Sequence, residues 1–167
     1  MSLWRKTVST TPRVTATVPD GTVAFLVGMR INHWWALHKI LPVFLAMPKM
    51  IIEQVRQREL GMIGSPRTFV SGRLILVIEY WKSYEHLETY AKATDRSHLS
   101  AWGAFNRAAR GNRAVGVFHE TYVVKPGTVE SIYSNVPNEI LLGAAVGTEP
   151  IGRTADSSRQ RLKNRKK

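Results

Sequence analysis

The run Leu74-Ile-Leu-Val-Ile-Glu-Tyr-Trp81 constrains the fold more than any other segment of the chain. Its β-branched and aromatic residues, preceded by a Ser71-Gly72 turn, predict a strand. It is far too short to span a bilayer, which takes about 20 helical residues. Its near-continuous apolarity predicts that both faces are covered. Glu79 is the exception within it, predicted to be a buried base or, on the bland reading, a carboxylate held by a backbone donor or an arginine.

The other elements arrange themselves around this strand. Thr22 to Met29, after Asp20-Gly21, reads as a first strand. A long helical stretch then runs to about Arg58, with Phe44, Met47, Ile51 and Val55 at helical spacing and a kink or split expected at Pro42 and Pro48. Leu60 to Val70, carrying Gly61, Gly64 and Pro66, reads as an irregular strand. Ser83 is placed to cap a helix with Tyr84, Leu87 and Ala91 along one face. A break at Thr94-Asp95 starts a further helix that ends near Gly111, and Ala114 to Val124 is the last strand.

Strand, helix, strand, strand, helix, strand is the order of an α+β ferredoxin-like βαββαβ subunit, with an antiparallel sheet and its helices on one face. The opposite face is then apolar and uncovered. A second copy closing on it gives a dimeric α+β barrel, so a homodimer is expected.

Charge is concentrated at the end of the chain. The 167 residues hold 24 Lys and Arg against 12 Asp and Glu, a net charge of +12. Half of this excess lies between Arg153 and Lys167, where seven basic residues accompany one Asp. Residues 1–21 read as a flexible Ser/Thr/Pro-rich arm, 22–127 as the domain, 128–148 as a packing arm and 149–167 as a disordered basic tail. The tail offers contact to nucleic acid or an anionic surface, whereas the domain carries no zinc-finger spacing or aromatic RNA-binding motif. With no cysteine, thiolate chemistry, disulfides and Cys-ligated metal are excluded. A cytoplasmic location and no membrane span are expected.

Two histidines carry the chemistry. If Asp95 caps the second helix, His98 lies in its first turn and heads a stripe of Trp102, Phe105 and Ala109. Alternation in the last strand puts Val115, Val117, His119, Thr121 and Val123 on one face and Phe118, Glu120 and Tyr122 on the other. Packing the helix on the first face brings two imidazoles to one apolar pocket, as an iron porphyrin requires. Two hydrogen-bonded core histidines satisfy the same spacing.

Several blocks together resemble an uncharacterised bacterial and fungal family labelled monooxygenase-like, which includes a small monooxygenase of a fungal terpenoid pathway. They are Arg30-Ile-Asn-His-Trp-Trp-Ala-Leu-His-Lys39, Met47-Pro-Lys-Met50, Glu79-Tyr-Trp-Lys-Ser83, Trp102-Gly-Ala-Phe-Asn-Arg107, His119-Glu-Thr-Tyr122 and Tyr133-Ser-Asn-Val-Pro137. The resemblance spans roughly residues 22 to 138 and implies a small-molecule oxidoreductase. More distantly, Ser97-His98-Leu99 through Phe105 to His119-Glu120 resembles the haem-binding half of aldoxime dehydratases. That likeness implies haem as cofactor, His98 as axial ligand and His119 as the distal acid/base; Trp102 and Phe105 of the stripe would then lie beside the cofactor, and of Arg107, Arg110 and Arg113, a cluster usually solvated, one or two would pair with its propionates. Aldoxime dehydratases have a second half, absent here, that supplies other catalytic groups.

The alternatives are a cofactor-free monooxygenase whose imidazoles act as bases, an aldoxime-dehydratase-like lyase, and a non-enzymatic ligand-binding protein. His33, Trp35 and His38 are candidates for the wall or mouth of a substrate pocket. His33 and His38 are five apart and so do not share a helix face for metal binding. An aromatic or terpenoid substrate fits the aromatic content, which core packing explains equally well.

Overall fold

The computed structural model describes residues 13–92, 107, 109–125, 127–136, 140–151 and 157–164. In chain order the elements are β1 (Val14–Ala16), β2 (Val23–Ile31), α1 (Leu37–Arg56), β3 (Met62–Ser71), β4 (Leu74–Trp81), α2 (Tyr84–Lys92), β5 (Val115–Val123), α3 (Leu142–Val146), β6 (Thr148–Pro150) and α4 (Ser158–Asn164). Their contacts divide the chain into two units. One is Gly21–Val123, and the other is built from the segments on either side of it.

The larger unit is a four-stranded antiparallel sheet in the order β3-β4-β2-β5. Odd-numbered residues of β2 and β4, including Val23, Phe25, Val27, Met29, Ile75, Val77 and Trp81, join α1 and α2 in one apolar core. Both helices therefore lie on one face of the sheet, and the subunit has the α+β ferredoxin-like fold expected. β4 begins and ends at the expected residues, and its burial alternates: Ile75, Val77, Glu79 and Trp81 are buried while Leu74, Leu76, Ile78 and Tyr80 are half-buried. Full cover therefore belongs to the helix-side face only.

α1 is one helix and is not split. It runs unbroken through Pro42 and Pro48. Each proline removes one N–H from the ladder, leaving the carbonyls of His38 and Phe44 without that donor. Both rings stand on the exposed side of the helix, where water can serve instead. The opposite side buries Ile40, Val43, Met47 and Met50, and this packing holds the helix together. β3 is irregular as expected, with a register shift between Ile63 and Arg67 around Gly64, whose φ is +69°.

The smaller unit gives regular structure to parts of the segments expected to be a flexible arm and a disordered tail. β1 pairs with β6, and Tyr133 bridges to Val14. Within the basic tail α4 is helical, and Arg161 reaches Glu130 at 2.6 Å, one charge satisfying another in a partly buried place. Composition alone misreads these segments because their order comes from partners distant in sequence.

Candidate functional site

Antiparallel register sets Val27 of β2 opposite His119 of β5, and Phe25 opposite both Thr121 of β5 and Glu79 of β4. All of these belong to the alternate set that faces the helices. His119 thus points to the helical side, as alternation predicts, while Glu120 points to the other side and accepts a hydrogen bond from the Tyr122 hydroxyl. The Phe25 and His119 rings lie 5.8 Å apart and tilted.

α2 stands over these residues because Ser83 starts it there. The Ser83 Oγ accepts from the His86 backbone N–H at 3.4 Å, capping the helix, and also contacts His86 Nδ1 at 2.9 Å. Tyr84, Leu87 and Ala91 then share the face expected of them and line a cleft of about 220 Å³ against Phe25, His119 and Thr121. Tyr90 closes its floor. At the rim, Lys92 donates to Glu88 at 2.6 Å, an exposed i,i+4 pair.

Behind the floor lies a second polar group. Glu79 is fully buried, and its Oε2 accepts from Trp81 Nε1 at 3.1 Å and from Gln54 Nε2 of α1 at 3.4 Å. The expected backbone donor or arginine is therefore replaced by an indole and an amide. Glu79 Oε1, Gln54 Oε1 and the Tyr90 hydroxyl are buried and have no hydrogen-bond partner. Burial pushes the Glu79 carboxyl up to about 7 against the opposing pull of its hydrogen bonds from Trp81 and Gln54. Burial, and then the neighbouring Glu79 charge, holds the Tyr90 hydroxyl above the usual phenol range against a weaker pull from the nearby Gln54 side chain. Tyr90 also packs on Trp81 at 5.3 Å between ring centroids.

The remaining sequence candidates do not gather here. His98, Trp102 and Phe105 lie outside the described residues. Arg107 is exposed on helical backbone. His33 packs its ring 5.1 Å from that of Trp35, Trp35 is 79% exposed, and His38 is exposed, all at the start of α1 and outside the cleft lining. Glu79 and His119, both expected from the sequence as catalytic candidates, are thus brought by the fold to one region, on either side of Phe25. Gln54, Tyr90, Glu88 and Lys92 were missed, although Tyr90 sits three residues after Leu87, the helical spacing that would have marked it.

Among the described residues, no cluster of three His, Asp or Glu forms a metal site. The cleft has a volume of about 220 Å³ and carries one of the two histidines that a porphyrin reading calls for, His119, while His98 lies outside the described residues. The cleft presents an imidazole at one wall, aromatic and aliphatic surface at the others, and the Glu88–Lys92 pair at its rim.

Residues 22–142, which contain the whole sheet and this cleft, match the family described as monooxygenase af470-like. The chain is 34% identical over 154 residues to monooxygenase af470 of Aspergillus fumigatus, an overlap of 78% of this chain and 53% of that protein. It therefore spans about half the length of that relative. Among solved structures, a conserved protein of unknown function from Bacteroides thetaiotaomicron aligns with 64% of this chain and 100% of its own, at 15% identity and a TM-score of 0.46. SnoaB, a cofactor-independent oxygenase from Streptomyces nogalater, aligns with 63% of this chain and 94% of its own, at 10% identity and a TM-score of 0.43. On the extent of the family match and the identity to its fungal relative, the chain belongs to the monooxygenase af470-like family.

Proposed function

We propose that this chain is a monooxygenase for a small, largely apolar substrate, that the substrate's reactive end enters the cleft between α2 and β5, and that His119 is its base. The observation that carries this reading is the imidazole on the wall of an otherwise mainly aromatic and aliphatic cleft, beside Phe25 and under Tyr84 and Leu87. Membership of a family named for a monooxygenase supports the reaction class.

The chemistry needs no external reductant if the substrate carries an activated methylene. His119 takes a C–H proton, leaving a carbanion delocalised into the substrate's π system. Dioxygen accepts its electrons, and a C–O bond forms. Loss of water from the resulting hydroperoxide leaves a ketone, so that CH2 and O2 become C=O and H2O. The cleft's part is to hold the substrate against the base.

The test is dioxygen uptake with a panel of enolisable and phenolic aromatic or terpenoid compounds. Turnover by wild type and a loss of about 10²–10⁴-fold in His119→Ala, with substrate affinity kept, is the expected result. Unchanged turnover in His119→Ala overturns the assignment. Haem uptake with a Soret band, lost in His98→Ala and kept in His119→Ala, would instead establish the porphyrin reading.

The subunit is proposed to work as a homodimer closed through the other sheet face. Leu26, Leu76, Ile78 and Phe118 belong to that face by register, and Phe69 and Tyr122 stand about half exposed on it. Light scattering is expected to report twice the chain mass at micromolar concentration. A stable monomer would rule the dimer out.

A further inference from the structure

α1 has two apolar sides, and only one of them is used. The inner side packs on the sheet. The outer side exposes Leu37, Leu41, Phe44, Leu45 and Ile52, whose spacing keeps them in one stripe along the helix. Trp34 and Trp35 extend the stripe beyond the helix start. So much contiguous apolar surface on a helix marks a binding face.

Charge identifies what covers it. From Gly21 to Ile52 there is no Asp or Glu. Lys49 and Arg56 are seven residues apart, which returns them to within about 20° of one line down the helix, beside the stripe. Arg73 stacks on Trp34, 5.9 Å from the ring centroid, and donates to the Asn32 carbonyl at 3.3 Å. Arg30 donates to Asn32 Oδ1 at 2.6 Å, and the carbonyl of Arg113 accepts from Asn32 Nδ2 at 3.3 Å. Arg30, Arg73 and Arg113 are all exposed, so this end of the sheet is cationic.

We propose that the outer face of α1, with its Trp34-Trp35 shoulder, docks on an anionic lipid surface. Leu, Phe and Ile side chains enter the acyl boundary, the two indoles sit at headgroup level, and the flanking cations meet lipid phosphates and carboxylates. A second copy of this chain fits the face poorly, because it would set cations against cations. A nucleic acid would use the charges and leave the aliphatic stripe in water. The helix lies on the surface and does not cross it, in keeping with no helix among the described residues being long and apolar enough to span.

The experiment is sedimentation of the full chain with vesicles of phosphatidylcholine alone and of phosphatidylcholine with phosphatidylserine. Binding is expected to the mixed vesicles and to be weaker on phosphatidylcholine alone. The double substitution Trp35→Ser with Leu41→Gln, at two well-exposed positions that leave the core intact, is expected to weaken it by about tenfold or more. Quenching of wild-type tryptophan fluorescence by bromine-labelled acyl chains checks insertion without any substitution. No binding, or binding that the double substitution leaves unchanged, overturns the proposal, the latter by assigning the affinity to the basic tail. A wild-type dimer that the double substitution dissociates, with no vesicle binding, overturns it in favour of a second copy.

Discussion

The Trp81 indole donates its Nε1–H to Glu79 Oε2 across 3.1 Å, from two residues along the same strand, and neither side chain meets solvent. Residues two apart in a strand share a face, so each polar group meets the other in a core that offers little else. Gln54 joins them from α1 and ties helix to sheet by a polar contact inside the apolar layer.

This arrangement makes stability depend on pH in a defined direction. The Glu79 carboxyl ionises at about 7 in the folded chain against an ordinary value of 4.5, so folding favours its protonated form. Its stabilising effect is fully present below about pH 4.5 and falls away as the pH rises towards 7, by roughly 3 kcal/mol in all at about 1.4 kcal/mol per unit, with no further loss above. Urea unfolding from pH 4 to 8 should show this decline, and Glu79→Gln should flatten it. An equal slope in the variant would place the titration elsewhere.

Tyr90→Phe is expected to change stability by no more than about 1 kcal/mol, because the buried hydroxyl makes no close hydrogen bond and has only the Gln54 side chain as a neighbouring acceptor to lose. The ring contact with Trp81 is kept. A thermal melt is sufficient to check this, and a clear drop in midpoint would reveal a bonded hydroxyl.

Gly28→Ala is expected to destabilise by about 1–3 kcal/mol. An added Cβ there would meet the Ile75 carbonyl oxygen and the Phe118 ring, each at 2.5 Å. Phe118 lies directly across the β2–β5 pair from Gly28, so the ring fills the place of the missing side chain. Pairing the substitution with Phe118→Leu should recover part of the loss, leaving the share due to the carbonyl.

Ser83→Ala removes the side-chain acceptor for the first turn of α2 and is expected to cost about 1 kcal/mol. Ser83→Asp restores an acceptor and should recover most of it. Because α2 forms one wall of the cleft, ligand affinity should fall with Ser83→Ala as well. Equal unfolding midpoints for all three chains would show that the cap contributes nothing.

The strands were legible because period two leaves little freedom. Leu74–Trp81 was bounded to the residue, and β5 was given the right faces, including His119 inward and Glu120 outward. α1 was harder to read, since both of its sides are apolar and only packing decides which is buried. Two prolines looked like breaks because sequence shows the lost N–H but not the solvent on that side. At the site, the partners of Glu79 were illegible. Gln54 lies 25 residues away on a different element, and nothing in its local pattern marks it as buried. The pairing of His98 with His119 falls partly on residues outside those described, so the haem reading rests on resemblance alone.

Thr15 donates to the Ser131 carbonyl from 116 residues away, and β1 finds β6 farther along still. Both strands are three residues long, too short to hold each other against the entropy of the chain between them. Their meeting must wait until residues 21–123 have already condensed and shortened that path. The smaller unit is therefore expected to form late in folding, and its first strand waits for partners at least 115 residues downstream.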